Sequence, residues 1–282
     1  MIVEVVIERY LLLIDKNKNQ NTLQKNMSAL RVVTLDVTNT LITLKNSIGH
    51  EYIKAMQLYC TTQAVRLHPN CLSDRQNDLS KAFTTVWKDM NAKHENFGFK
   101  SGMSSVEWWT QVVKRTVRLA NFSVDDLNDN QLDLMAKYLY RAYCSPQFWT
   151  VDVGVHQAMT DIKKSNPDLK LGIISNFDER LGRILQELGL RHYFDFLIIS
   201  RLVGCCKPSA DIFNLALNTA ELSDPSLALH IGDNIELDYL CAKRLGWNAL
   251  LLNRNNRHNN NNNLSNDQRL SPIDIISDLK QF

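Results

Sequence analysis

Five short apolar runs stand out along the chain, and polar or helix-patterned stretches separate them. Four of the five are continuous runs rich in Val, Ile and Leu, without alternation of apolar and polar positions. Such runs are typical of parallel strands that are buried on both faces. The predicted strands are residues 31–35, 169–174, 194–199, 227–231 and 249–252.

Helix-patterned segments lie between the later strands. Residues 179–188 and 238–245 are followed by Gly189 and Gly246, and residues 211–217 follow a Lys-Pro pair. Glycine is common just after the end of a helix, because it adopts the left-handed conformation without strain. The alternation of strands and helices predicts an α/β fold with a doubly wound (Rossmann-like) parallel sheet.

A long insertion separates the first two predicted strands. It is far longer than the loops that join a strand to a helix in α/β folds, and its pattern is helical. We therefore predict an inserted helical cap domain at residues 45–149, with the α/β core formed by residues 28–44 and 150–282. The predicted helices of the cap are residues 51–65, 79–90, 106–119 and 132–143.

The two ends of the chain carry different patterns. Residues 1–27 combine an apolar start, broken by acidic residues, with a polar stretch, and we expect a disordered extension there. Residues 255–263 are rich in asparagine, which favours a solvated loop. Residues 270–282 predict a last surface helix that begins near Pro272.

The composition agrees with an ordinary globular protein. Of the 282 residues, 44% are apolar and 22% are charged, and the net charge is +2. This balanced charge favours neither a nucleic acid nor a membrane surface as a partner, and we expect neither. The six cysteines show no C-x-x-C spacing, which disfavours a zinc site and agrees with a cytoplasmic protein, with the nucleus left open.

Polar residues cluster at the ends of three predicted strands and in one loop. In open α/β sheets, sites form beyond the carboxyl ends of the strands, where the strand order reverses. These positions are the candidate chemistry of the chain, although each one alone also fits a helix cap, a turn or a surface charge. They are Asp36-Val37-Thr38-Asn39-Thr40 after the first strand, Ser175-Asn176 after the second, Lys207-Pro208 in a loop, and Gly232-Asp233 with Asp238 after the fourth.

These motifs, in this order, resemble those of the haloacid dehalogenase-like hydrolase superfamily, and the resemblance covers residues 31–253. It implies that Asp36 attacks phosphorus and forms an aspartyl ester that water later opens, which is covalent catalysis. It also implies that Ser175 and Lys207 are catalytic, because they bind and neutralise the phosphoryl group. The substrate class that it implies is a small phosphorylated metabolite, bound between cap and core.

The same resemblance implies a Mg²⁺ cofactor. Mg²⁺ is a hard ion that binds carboxylate and carbonyl oxygens, and it can bridge an anionic nucleophile and a phosphate. The expected metal ligands are Asp36, Thr38 through its carbonyl, Asp233 and Asp238, and the expected substrate-binding residues are Thr38, Asn39 and Asn176.

Position 38 departs from the pattern of the superfamily. Most of its phosphatases carry a second aspartate two residues after the nucleophile, where this chain has Thr38. That aspartate protonates the leaving group and then activates water, assistance typically worth about 10²- to 10⁴-fold in rate. Three hypotheses stay open: a Mg²⁺-dependent phosphatase, a regulatory or binding protein that retains the fold, and carbon–halogen hydrolysis. The last needs no Mg²⁺, so Asp233 and Asp238 beside Lys207 disfavour it.

Overall fold

The structure is a computed structural model that describes residues 30–59, 69–122, 127–253, 269 and 275–276. Two predictions therefore fall outside the described residues: the disordered extension at residues 1–27 and the asparagine-rich loop at residues 255–263. The chain divides into two compact units. The sheet unit holds the described parts of Met1–Thr43, Val151–Asn176 and Leu188–Phe282, and the helical unit holds those of Leu44–Thr150 and Phe177–Glu187.

The sheet unit is built on a six-stranded sheet in which every neighbouring pair of strands is parallel. The described strands of the whole chain are β1 (Val32–Leu35), β2 (Ile42–Leu44), β3 (Trp149–Val151), β4 (Lys170–Ser175), β5 (Phe196–Ile199), β6 (Ala228–Gly232), β7 (Asn248–Leu252) and β8 (Ile275–Ile276). The six-stranded sheet has the order β5-β4-β1-β6-β7-β8, while β2 and β3 form a separate two-stranded sheet. The chain thus moves outward from β1 in both directions, and the predicted doubly wound α/β class is confirmed.

The five predicted strands form β1, β4, β5, β6 and β7, with bounds that differ from the prediction by one or two residues. All five residues of β6 are buried, as expected for a parallel strand covered on both faces. One core cluster packs Ile212 and Phe213 together with Val32, Ile174 and Trp247. Apolar burial therefore fixes the strands whose ends carry the candidate site.

Helices account for most of the remaining described chain. They are α1 (Ile48–Tyr59), α2 (Pro69–Lys93), α3 (Ser105–Leu119), α4 (Asp129–Ala142), α5 (Val155–Ser165), α6 (Leu181–Glu187), α7 (Ser200–Val203), α8 (Ala210–Thr219) and α9 (Cys241–Arg244). The helical unit consists of α1 to α4 and α6, and each of the four helices predicted for the insertion overlaps one of α1 to α4. Within the described chain, no helix is both long and apolar enough to cross a membrane.

Two capping boxes explain where helices of this unit begin. The Ser104 hydroxyl accepts from the N–H of Glu107, whose carboxylate accepts from the N–H of Ser104, and Asn128 and Gln131 form the same reciprocal pair. Each box satisfies two N–H groups that have no partner within the first turn of a helix. α3 and α4 therefore start before the apolar pattern from which they were predicted.

The helix after β6 differs from the prediction of a regular helix at residues 238–245. A π-helix spans Ile235–Leu240, and the α-helical geometry begins only with α9. The N–H groups of Asp238 and Tyr239 both donate to the carbonyl of Asn234, which widens the turn. The hydrophobic period of the sequence gave no sign of this widening.

The last predicted helix is wrong in its described part. Ile275 and Ile276 form β8, which pairs in parallel with Leu251 and Leu252 of β7. β-branched residues favour strands, and β7 offers them the edge of the sheet. The other residues of the segment 270–282 lie outside the described residues.

Candidate active site

Three candidate residues, each at or just after the end of a strand, meet at the carboxyl-terminal edge of the sheet, where its parallel strands end. β1 lies between β4 and β6, and its last residue is in register with both neighbours. Asp36 directly follows β1, Ser175 ends β4, and Asp233 directly follows β6. Because parallel strands in register end together, the fold brings these three residues to the topological switch point of the sheet.

Lys207 enters the same edge from a loop, and its ammonium group is buried, with 3% of the residue exposed. Its Nζ donates to Asp36 Oδ1 at 2.7 Å, to Asp238 Oδ1 at 2.5 Å and to the carbonyl of Ile174 at 2.9 Å. An ammonium group has three N–H donors, so these contacts use all of them. The lysine is therefore held in one orientation between two carboxylates.

Asn176 holds the loop that carries Lys207. Its Nδ2 donates to the carbonyl of Lys207 at 2.8 Å, and its Oδ1 accepts from the N–H of Lys207 at 2.8 Å. The side-chain amide of Asn176 thus pairs with the backbone of Lys207 through two hydrogen bonds, as a neighbouring strand would, and fixes the loop beside the end of β4. The geometry gives Asn176 a positioning task, and its assignment to substrate binding stays a prediction.

Asp36, Asp233 and Asp238 form an acidic cluster, in which one oxygen of each lies within 4.8 Å of the others. Burial raises the pKa of the Asp36 carboxyl, and Lys207 opposes this shift only in part. Burial, with the neighbouring charges of Asp36 and Asp238, raises the pKa of Asp233 from 3.8 to about 7. The charged forms of these two carboxyls are thus disfavoured until a cation is added.

The pKa of the third carboxyl of the cluster, Asp238, shifts in the opposite direction, although only 1% of this residue is exposed. Burial would raise its pKa, but the Lys207 ammonium and His230 outweigh burial and hold the pKa below its usual range. Its Oδ2 accepts from the N–H of Asn234 at 2.9 Å, so both oxygens have protein donors. A Cβ atom on Gly232 would lie 2.3 Å from Asp238 Cγ, so only glycine lets the carboxylate reach this position.

The turn after Asp36 presents a main-chain oxygen. The carbonyl of Val37 accepts from the N–H groups of Thr40, Leu41 and Ile42, which folds the turn tightly. Among the described residues, the carbonyl of Thr38 accepts no backbone hydrogen bond. This oxygen is available to a ligand whatever side chain stands at position 38.

Asn39 completes the turn with a left-handed backbone, at φ 61°. Asparagine tolerates this conformation better than most residues do. The Asn39 side chain hydrogen-bonds to Asp233, which opposes the rise in the pKa of that carboxyl. The turn is thereby tied to the end of β6, and the role of Asn39 in substrate binding stays a prediction.

Thr34 and His230 extend the site inward, and both are fully buried. They face each other in register on β1 and β6, with Thr34 Oγ1 2.8 Å from His230 Nδ1. His230 Nε2 lies 3.2 Å from Asp238 Oδ1. Burial lowers the pKa of His230, so the neutral ring donates from Nε2 to Asp238 and accepts from the Thr34 hydroxyl at Nδ1.

Sequence reasoning did not assign His230 to the site, because no metal-ligand spacing accompanies it. The signal that could have found it is a polar residue within each of two apolar parallel strands. A buried histidine needs a partner at both ring nitrogens, and Thr34 on the neighbouring strand supplies one of them. The register that joins the two residues became visible only in the structure.

A hard divalent cation fits the donors of this edge. With all three aspartates ionised, the acidic cluster and Lys207 carry a net charge of −2, which one divalent ion neutralises. The donors are carboxylate oxygens plus the Thr38 carbonyl, the ligand type that Mg²⁺ prefers. Of the three carboxylates, Asp36 and Asp233 are the better direct ligands, since both oxygens of Asp238 already accept hydrogen bonds.

We expect His230→Leu to lower the free energy of unfolding by about 1–3 kcal/mol, because Asp238 loses a donor and Thr34 loses an acceptor in a buried place. His230→Gln keeps an N–H near the position of Nε2, so it should lose less. Urea unfolding of both variants and of the native protein measures the difference. Equal losses for the leucine and glutamine variants would contradict the hydrogen-bond assignment.

We also expect Asp233 to make the free energy of unfolding without metal fall as the pH rises from about 4 to about 7, relative to an Asp233→Asn variant. Asp233, whose pKa rises from 3.8 to about 7 on folding, binds more protons in the folded than in the unfolded protein across this range. Added Mg²⁺ replaces the proton, so it should raise the melting temperature more at pH 8 than at pH 5.

Thermal unfolding at the two pH values, with and without Mg²⁺, measures this effect. Asp233→Asn is the matched control, since it keeps the shape and removes the titrating group. The expectation fails if Mg²⁺ raises the melting temperature equally at both pH values, or equally in the native protein and in Asp233→Asn.

Comparison with known proteins places this geometry in a family. The family model for haloacid dehalogenase-like hydrolases matches residues 30–246. The haloacid dehalogenase-like hydrolase domain-containing protein 3 of Mus musculus is 34% identical over 223 residues, which cover 79% of this chain and 82% of that protein. The rhythmically expressed gene 2 protein of Drosophila melanogaster is 31% identical, with 82% of this chain and 86% of that protein covered.

A solved structure supports the fold. The hydrolase YfnB from Bacillus subtilis, described as bound to magnesium, superposes with a TM-score of 0.58 at 16% identity, covering 89% of this chain and 96% of that one. At this identity the likeness concerns the fold alone. With the family model matched across both the acidic cluster and Lys207, the chain belongs to the haloacid dehalogenase-like hydrolases.

Proposed function

We propose that this hydrolase is a Mg²⁺-dependent phosphatase that acts on a small phosphorylated metabolite through an aspartyl-phosphate at Asp36. The observation that carries the proposal is the position of Asp36. Its carboxylate belongs to the acidic cluster and is paired with the buried ammonium of Lys207. A nucleophile that must approach an anionic phosphate needs positive charge beside it, which Lys207 supplies and a divalent ion in the cluster would add to.

Lys207 prepares Asp36 for attack. It holds Oδ1 at 2.7 Å, so the other oxygen, Oδ2, is the one we assign to attack phosphorus. Burial would lower the pKa of Lys207, but Asp238 and Asp36 raise it above its usual range. The lysine is thus cationic at every working pH, and it can also neutralise charge on the transferring phosphoryl group.

The bound metal and Ser175 complete the proposed site. A Mg²⁺ ion held by Asp36, Asp233 and the Thr38 carbonyl would screen the repulsion between carboxylate and phosphate. Asp238 supports this set by fixing Lys207. Ser175, at the end of β4 and 1% exposed, is assigned to donate a hydrogen bond to a phosphoryl oxygen.

The proposed reaction has two balanced steps. In the first, Asp36 Oδ2 bonds to phosphorus as the bond from phosphorus to the alcohol oxygen breaks, and the alcohol takes a proton from solvent. In the second, water attacks phosphorus, the bond to Asp36 breaks, and inorganic phosphate leaves. Thr38 has no acidic proton to give in either step, so both proceed without general acid–base help at that position.

Thr38 is also the observation that favours a second candidate function. A protein that keeps the nucleophile, the lysine and the acidic cluster but lacks the acid can bind a phosphorylated ligand and turn it over very slowly. Such a protein would act as a regulatory or binding protein. Carbon–halogen hydrolysis is the weaker alternative, since it needs no Mg²⁺ and would leave Asp233 and Asp238 without a metal to bind.

The test of the proposal is Mg²⁺-dependent hydrolysis across a panel of metabolite phosphates and p-nitrophenyl phosphate. We expect turnover in the native protein and a loss of roughly 10³-fold or more in Asp36→Asn, because the amide is a poor nucleophile. Asp224→Asn, an exposed position of the sheet unit, is the matched control. Equal rates in the native protein and Asp36→Asn would contradict the phosphatase proposal for that substrate class.

We expect Thr38→Asp to raise the rate of phosphate-ester hydrolysis by roughly 10²- to 10⁴-fold, because it restores an acid at the position that protonates the leaving group. Thr38→Asn has a similar shape without the acidic proton and should gain nothing. The measurement is the steady-state rate with an alkyl phosphate, because its alkoxide leaving group needs a proton. p-Nitrophenyl phosphate is unsuitable here, since p-nitrophenolate leaves without one. An equal change in the two variants would show that acidity at position 38 is not limiting.

A further inference from the structure

A buried ion pair fixes the chain just after the site candidates Ser175 and Asn176, and the proposed reaction does not use it. Asp178 is fully buried. Its two carboxylate oxygens accept from Nε and a terminal nitrogen of Arg180 at 2.8 Å and 2.6 Å, and from Nε1 of Trp109 at 2.7 Å. The backbone N–H of Arg180 adds a fourth hydrogen bond, at 3.1 Å. One carboxylate is thus held by four donors from two residues.

Arg180, the cation of this pair, is itself held in place. It is 8% exposed, and its guanidinium carbon lies 4.0 Å from the centre of the Tyr140 ring and 5.2 Å from that of the Trp109 ring. A guanidinium over an aromatic face is attracted by the electrons of the ring. Its other terminal nitrogen donates to the carbonyl of Tyr140 at 3.0 Å. All of these residues and Asp178 belong to the helical unit, so Asp178 has a fixed position within it.

Stability alone does not account for this ion pair. Burying two charges costs free energy, and apolar residues of similar volume often stabilise a core as well or better. A guanidinium fork on a carboxylate does provide one defined geometry. Phe177, directly before Asp178, is fixed in the same unit, with its ring centre 6.4 Å from that of Phe97 and 6.2 Å from that of Trp149. The contacts of this segment therefore define its position.

A short stretch of chain connects Asp178 to the lysine of the candidate active site. Asn176 lies two residues before Asp178, so their Cα atoms are at most about 7 Å apart. Asn176 in turn makes two hydrogen bonds of 2.8 Å with the backbone of Lys207, whose Nζ donates to Asp36. Ser175 directly precedes Asn176. This connection leaves little slack, so a displacement of Asp178 displaces Asn176 and the Lys207 loop as well.

We propose that Asp178 is a positioning residue of the candidate active site. It fixes the place of Asn176, and through Asn176 it fixes the place of Lys207 beside Asp36. Its consequence for the rate rests on the proposed function, because Lys207 neutralises the phosphoryl group there. The positioning itself concerns the protein alone, so it can be measured without a substrate.

The first test is the ¹H–¹⁵N NMR spectrum of the full chain without substrate, read at the backbone N–H and the ammonium group of Lys207. Trp109→Phe keeps an aromatic ring and removes one donor to Asp178, and we expect it to shift both signals. Trp108→Phe is the matched control. It removes the same kind of donor from the neighbouring residue of α3, where Nε1 donates to the carbonyl of His94 at 3.0 Å, and it should leave both signals unchanged.

Asp178→Asn provides an independent variant, since it changes no aromatic ring and weakens every hydrogen bond that the carboxylate accepts. We expect it to shift the two Lys207 signals in the same direction as Trp109→Phe does, and further. It separates the hydrogen bonds from the magnetic effect of a lost indole ring. It also keeps the inference testable if Trp109→Phe does not fold.

The second test is the rate of Mg²⁺-dependent hydrolysis of a phosphate ester that the native protein turns over. We expect Trp109→Phe to lower kcat by roughly threefold to tenfold, the range for one lost hydrogen bond, with KM unchanged within about twofold. The change falls on kcat because Lys207 acts on the charge that grows as the phosphoryl group transfers. Trp108→Phe should keep the native kcat.

The inference is overturned if the Lys207 signals of Trp109→Phe and Asp178→Asn match those of the native protein, or if Trp108→Phe shifts them as much. Shifted signals with an unchanged kcat would overturn the role of Asp178 in the reaction. A native protein without Mg²⁺-dependent turnover would instead contradict the proposed function, and the NMR comparison would still decide whether Asp178 positions Lys207.

Discussion

The candidate site depends on one buried ammonium group shared by two carboxylates. Lys207 lies between Asp36 and Asp238, and all three are almost completely buried. Removing charges from water is costly unless each finds a partner, and here the single lysine meets both acids. Their attraction raises the pKa of Lys207 and lowers that of Asp238. This pairing ties the π-helical turn around Asp238 to the Lys207 loop.

With its aspartates ionised, the acidic cluster keeps a net negative charge even after pairing with Lys207, and this charge is what favours a bound cation. Lys207 cannot serve a third acid, because its three N–H groups already have acceptors. Asp233 is left with a raised pKa beside Asp36. In the proposed function, a divalent cation would relieve both carboxyls at once and prepare this edge of the sheet for an anionic substrate. Thr38 would then limit how fast a phosphorylated Asp36 is formed and released, since threonine supplies no acid at that position.

The sequence predicted the parts of this fold that depend on local pattern. Continuous apolar runs located β1, β4, β5, β6 and β7, and the order of polar strand ends pointed to Asp36, Ser175 and Asp233. Long-range contacts were beyond its reach. The pairing of Thr34 with His230 depends on the register of two strands that are distant in sequence, and β8 depends on the open edge of β7. The catalytic and metal-binding roles of the site residues, and the cap boundaries at residues 45–149, stay predictions, as does a cytoplasmic location.

The proposed function makes Asp36 a phosphoryl-accepting nucleophile that works with a bound Mg²⁺. Beryllofluoride mimics a phosphoryl group on an aspartate and needs no knowledge of the substrate, so ¹⁹F NMR of the protein with beryllofluoride tests the claim directly. We expect a bound fluoride signal that requires Mg²⁺, that appears in the native protein and that is lost in Asp36→Asn. A native protein that gives no Mg²⁺-dependent signal, or an Asp36→Asn variant that gives the same one, would contradict it.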